Sequence, residues 1–181
     1  MKNLLLTALS FLLFISASAQ DDSEVVLVKL AQETKSASIR FKQEISEVEY
    51  NSDFEKSISV SFRVDTFLVE DFLMRRMEVE YSIMPMVDAY YQAEMEYEKL
   101  INKYYQILYN KLNTEDKQTL KTAHDKWVSF KTAENDLTEK LAAEEYAGGG
   151  SYVIIGIAYE NMLLNKYRAT AYYQKLLGII M

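Results

Sequence analysis

The stretch YEKLINKYYQILYNKL, residues 97–112, decides the fold. Its apolar residues Tyr97, Leu100, Ile101, Tyr104, Tyr105, Leu108 and Leu112 fall at i, i+3, i+4, i+7, i+8, i+11 and i+15. A helix turns once every 3.6 residues or so, and these positions form one of its faces. Asn113-Thr114-Glu115-Asp116 follows. Asn113 suits a helix end. Thr114 is expected to cap the next helix, with acids in its first turn where the helix dipole favours them. That helix sets Leu120, Ala123, Trp127, Phe130, Leu137 and Leu141 at steps of three, four or seven, so these are expected to face a core. Gly148-Gly149-Gly150 is read as its end, because glycine tolerates the positive φ of a tight reversal. Ser151 can cap a last helix reaching about Leu177, with Ile154, Ile157, Ala158, Met162, Leu164 and Leu176 as core candidates.

Upstream the pattern is weaker. Leu30, Ala37, Phe41, Ile45 and Val48 lie mostly at helical spacing, and Asn51-Ser52-Asp53 breaks it. Phe54, Ile58, Phe62, Leu68, Phe72 and Leu73 resume it. Ile58, Val60, Phe62 and Val64 also alternate with other residues as a strand would; the helical flanks favour helix. Pro85 should break or start a helix near 82–87. The expected architecture is all-α, an antiparallel helical bundle in a single domain, with 20–80 as an N-terminal helical extension of the 81–181 unit.

Composition agrees. One Pro and five Gly in 181 residues argue against a turn-rich β fold. The absence of Cys excludes disulfides, thiolate metal sites and a Cys nucleophile. Twenty bases against 27 acids, a net charge of −7, argue against nucleic acid as a partner. The excess is concentrated in 70–98, with eight acids against Arg75 and Arg76.

Met1–Gln20 reads as an address. Lys2 supplies the positive end, Leu4 to Ile15 a short greasy run, and Ala17-Ser18-Ala19 a small-x-small cleavage site. A run of about twelve is too short to span a bilayer stably, so residues 1–19 are expected to be a cleaved export signal. The remaining chain would have no membrane span and would lie in the periplasm or outside the cell.

The supply of catalytic groups is poor. His124 is the one histidine, one residue off the expected core stripe and read as a surface residue. There is no G-x-S-x-G. Glu94, Glu96 and Glu98 alternate around a helix and are not expected to converge on a cation. Any two acids could meet as in a glycosidase, and nothing marks a pair. The glycine triplet could hold an anion but has no Lys-Ser/Thr sequel. Tyrosines and Trp127 could anchor an interface, although most should be core. Catalytic residues, cofactor and metal are therefore all expected to be none. Trp127, Lys131 and Glu134 share one helix face; Asn165, Arg168 and Tyr172 share another. If the glycine turn makes these helices antiparallel, Glu134 could meet Arg168, as a structural pair or as part of a ligand contact.

Residues 100–177 resemble the lysozyme-inhibitor LprI-like family, a set of small exported helical proteins. The family's L-N-x-x-Y-x-x-L is matched by Ile101-Asn102 through Leu108, with Tyr104 and Tyr105 between. Its A-Q-x-x-W-x-x-F/Y-R-D-A-E-C is matched by Ala123, His124, Trp127, Phe130, Lys131, Thr132, Ala133, Glu134 and Asn135. Its G-G-T/S turn resembles Gly149-Gly150-Ser151, its T-x-x-R the run Asn165 to Arg168, and its S-T-x-x-M-x-x-C the run Ser82 to Ala89. Lys131-Thr132 replaces Arg-Asp, His124 replaces Gln, Asn165 replaces Thr, and Ala89 and Asn135 stand at the Cys positions. The resemblance implies that the disulfide of many relatives is absent here and that packing replaces it. It implies a motif cluster of Asn102, Tyr105, Trp127, Lys131, Glu134, Gly149, Gly150 and Arg168. It also implies occlusion of a lysozyme-like muramidase by a non-enzyme, the alternative being a non-inhibitory envelope module. Animal lysozymes are typically basic, so Glu94, Glu96 and Glu98 are candidates for steering such a partner.

Overall fold

The computed structural model describes residues 22–148 and 150–180. The expected signal, 1–19, and Gly149 lie outside them. Six helices are present among the described residues: α1 (Asp22–Ser46), α2 (Asp53–Val79), α3 (Ile83–Lys111), α4 (Thr114–Leu141), α5 (Glu144–Ala147) and α6 (Tyr152–Ile180). The all-α reading holds, and 58–64 is helical.

Local chemistry sets the boundaries. Ser52 accepts from the Glu55 amide, and Glu55 reaches back to the amide and side chain of Asn51. These bonds satisfy donors that a helix start leaves open. Pro85 sits in the first turn of α3, where a missing N–H costs nothing. The cap of α4 is Asn113 and not Thr114: the Asn113 side chain accepts from the Asp116 amide at 2.9 Å, and Thr114 is already helical. The glycine triplet does not end α4. That helix stops at Leu141, and Gly148, at φ +71°, terminates the single turn of α5.

The most extensive packing joins α3 to α6. On α6, Ala158, Met162, Asn165, Ala169, Tyr172 and Leu176 are all buried at alternating steps of four and three. Repeated alternation of that kind keeps one narrow seam facing the partner helix. On α3, Ala93, Tyr97, Leu100, Tyr104 and Leu108 face it. From α2, Ile58, Phe62 and Val69 enter the same core, so residues 53–79 are not peripheral to it. Phe62 stacks on Tyr173 at 4.2 Å between ring centres and meets Tyr104 edge-on at 5.0 Å. Each aromatic buried this way adds about 1.5–3 kcal/mol of hydrophobic stabilisation. The Tyr104 hydroxyl donates to Asp65 at 2.6 Å and that of Tyr97 to Glu70 at 2.8 Å. Burial, then the neighbouring carboxylate, pushes both phenols far up, so they remain donors. Helix α1 rests on α2 through the Phe41–Phe67 stack and the Thr34–Asp71 hydrogen bond.

Helix α4 departs from expectation. Leu120 is its one buried residue; Ala123 is exposed, and Phe130, Leu137 and Leu141 are about half exposed at 49%, 48% and 50%. On α6, Ile154 is likewise exposed, and Ile157 and Leu164 are half-buried. The reason lies on α3. Beyond its apolar end, α3 offers Asn102, Glu98 and Glu94 along the groove shared with α4. Lys131 meets Glu94 and Glu98, and most of the residues of α4 beyond it are exposed.

Candidate functional site

Three helices meet at one corner. Tyr105 of α3, His124 and Trp127 of α4, and Arg168 and Tyr172 of α6 form a continuous cluster. The His124 ring lies 4.8 Å from Tyr105 and 5.9 Å from Trp127. The Arg168 guanidinium sits over two aromatic faces, 4.4 Å from Tyr172 and 5.3 Å from Trp127. It donates to the Tyr172 hydroxyl at 2.7 Å and to the Ala123 carbonyl at 3.2 Å, a main-chain link from α6 to α4. The Tyr172 hydroxyl lies 2.9 Å from His124 Nδ1. Accepting from Arg168 leaves the Tyr172 proton available to Nδ1 in the His124 tautomer protonated at Nε2. The His124 pKa is lowered in keeping with this, first by burial and then by the Arg168 charge. Tyr172 is held above its ordinary value by burial, partly offset by Arg168.

Beside the cluster an open groove of about 310 Å³ runs between α3 and α4, lined by Glu98, Asn102, His124, Trp127, Lys131 and Asn135 among others. Lys131 bridges it, 3.0 Å from Glu94 and 2.7 Å from Glu98. Burial alone would lower the Lys131 pKa, but the hydrogen bonds to Glu98 and Glu94 outweigh it and the value is raised. Glu94 and Glu98 therefore do converge, on a lysine. Glu96 pairs with Lys99 at 2.6 Å. The three glutamates do not make one uncompensated face.

The structure brings together Tyr105, Trp127 and Arg168, with Asn102 and Lys131 in the adjoining groove. It does not bring in Glu134. Among the described residues Glu134 forms no ion pair, and Arg168 reaches Ala123 and Trp127 instead. The register explains this. Ala123 stands 18 residues before the end of α4 and Arg168 stands 16 after the start of α6, so their heights match. Glu134 lies 11 residues nearer the turn than Ala123, about 16 Å away along the axis. Gly150 is exposed at the turn; its carbonyl accepts from the Val153 amide, and an added Cβ there would meet nothing within 4 Å. His124 and Tyr172 take larger parts than the sequence reading gave them. The signal for His124 was present: Leu120, His124, Trp127 and Lys131 fall at i, i+4, i+7 and i+11, a stripe that passes through His124 and not through Ala123.

Among the described residues no three His, Asp or Glu side chains are placed to hold a metal ion, and no helix is long and apolar enough to cross a membrane. The geometry defines an all-α bundle whose α3, α4 and α6 are joined by a cation–aromatic corner. The model of the family described as "Lysozyme inhibitor LprI" matches residues 76–173, over half of the chain. The protein belongs to that family. No curated protein and no solved structure matches the chain.

Proposed function

We propose that this chain is an exported binding protein that occludes a lysozyme-like muramidase. The observation that carries the reading is the family match across 76–173, which spans α3, α4 and α5 and most of α6, and so includes the whole cation–aromatic corner. The net charge of −7 supports it, since an acidic surface attracts a basic enzyme and speeds encounter. The signal-like character of Met1–Gln20 supports export. Occlusion requires no catalytic group: a surface that covers the enzyme's substrate path is enough. The test is a cell-wall lysis assay with a basic c-type lysozyme and micromolar purified protein in low salt. Slower lysis is expected, and an unchanged rate refutes the reading.

A second reading is favoured by the contacts of the motif residues. Lys131 is occupied by Glu94 and Glu98, and Arg168 by Ala123 and Tyr172, so the motif cluster serves the architecture. The chain would then be a non-inhibitory envelope module. Binding to lysozyme without loss of its activity would select this reading.

A further inference from the structure

The outer half of α4, with α5 and the start of α6, forms a tip that, among the described residues, carries exposed apolar side chains and unpaired acids together. Leu137 and Leu141, one turn apart on α4, are 48% and 50% exposed, while Tyr146 and Tyr152 are 67% and 80% exposed. Exposed tyrosines are among the usual anchors of protein interfaces, and the two leucines extend the apolar surface beside them. Between Glu134 and Gly148 the chain carries five acids (Glu134, Asp136, Glu139, Glu144, Glu145) and one base, Lys140, a net of −4. All but Glu134 are exposed, and none of the six takes part in an ion pair among the described residues. Glu94, Glu96 and Glu98 of α3 differ in this respect, being held by Lys131 and Lys99. Uncompensated negative charge and uncovered apolar surface therefore coincide at the tip.

The charge also selects the occupant. A second copy docked through the same face would set two acidic tips within one screening length, about 8 Å at physiological salt, and like charges there oppose association. A basic surface gains from both features.

We infer that the α4–α5–α6 tip is the docking surface of this chain and that its occupant is a basic protein, the muramidase of the proposed function, on which reading the inference rests. The apolar side chains supply the buried centre, and the surrounding acids supply orientation and association rate.

The experiment measures binding of a basic c-type lysozyme to the purified protein by biolayer interferometry at about 20 mM and about 200 mM salt. Leu137→Gln with Leu141→Gln, and separately Glu139→Lys with Glu144→Lys and Glu145→Lys, should each weaken Kd by about tenfold or more. The charge variant should act mainly on the association rate and should flatten the salt dependence. Glu44→Gln with Glu47→Gln, exposed around the end of α1 and in no ion pair among the described residues, should change Kd by less than about threefold. Thermal melts by circular dichroism accompany each variant, and Tyr146→Ser with Tyr152→Ser replaces the leucine variant if that one fails to fold. Wild-type binding that survives all tip variants overturns this inference and leaves the proposed function standing. A wild-type dimer that dissociates on Leu137→Gln with Leu141→Gln also overturns it, since a second copy then covers the face. A wild-type protein that does not bind lysozyme overturns both.

Discussion

Replacing Arg76 with methionine tests how the α2–α3 corner is held. Arg76 is 2% exposed. Its guanidinium grips Glu80 through two nitrogens, at 2.8 and 3.2 Å, and donates to Gln92 at 2.8 Å and Asp88 at 3.0 Å. It therefore ties the end of α2 to the first three turns of α3 across a three-residue link. Burial by itself would lower its pKa, but the bonds to Glu80 and Asp88 outweigh it, so the charge is permanent. Methionine fills much of the aliphatic volume, so the loss is mainly electrostatic. Glu80, 18% exposed, is left with an uncompensated carboxylate, and breaking a buried pair from one side costs about 3–5 kcal/mol. Partial exposure places this pair near the lower end. Asp88, 73% exposed, adds about 0–1 kcal/mol, and the lost Gln92 bond about 1 kcal/mol. The sum is about 4–5 kcal/mol, or roughly 8–20 °C in Tm for a chain of this size. Urea unfolding followed at 222 nm measures it. Arg76→Met with Glu80→Met should regain more than half of the loss, because apolar side chains of similar volume replace buried ion pairs at little cost. A single-variant loss under about 1 kcal/mol, or a double variant as unstable as the sum of its singles, would refute the reasoning.

Two further outcomes follow from the α3–α4–α6 corner. His124 is held below its ordinary pKa near 6.5, so the unfolded chain binds its proton more readily. Its stabilising contribution is complete above about pH 6.5 and is lost as pH falls below that value toward the depressed folded pKa. Between pH 7 and 5 the wild-type Tm should therefore fall more than that of His124→Gln, and parallel curves would contradict the assignment. Arg168→Ala should cost about 1–3 kcal/mol through lost hydrogen bonds and cation–aromatic contacts, whereas Glu134→Ala should stay within about 0.5 kcal/mol. Chemical denaturation of both variants checks this, and equal losses would restore the Glu134–Arg168 pair.

Most of the fold was legible because the seam residues are apolar and strictly spaced. Tyr97, Leu100, Tyr104 and Leu108 announce α3, and the flanks of Ile58 and Phe62 outweigh their local alternation. The outer half of α4 was misread because periodicity reports only that a face is apolar, not that a neighbour covers it. Phe130, Leu137 and Leu141 have the spacing of a core stripe and are left about half exposed. The Glu134–Arg168 pair failed on register, since residues 142–151 hold a separate helical turn where a simple corner was expected. Asn113 and Thr114 are both good caps, and a one-residue shift decides between them. His124 and Ala123 are adjacent, and a helical stripe can be traced through either; only packing selects His124.

The long α3–α6 seam has a consequence for the order in which the chain folds. Asn165 reaches the Glu94 carbonyl across 71 residues, and Tyr173 reaches Ser59 across 114. Helical proteins that pair neighbours in sequence close small loops and fold fast; here the central pair closes only after a long stretch of chain has been gathered in. The entropy of that closure rises slowly with length, so equilibrium stability is little affected, but the search is slower. Helix α4 lies within the gathered stretch and contributes little to the seam. The collapse of α2, α3 and α6 therefore does not depend on the outer half of α4 being in place.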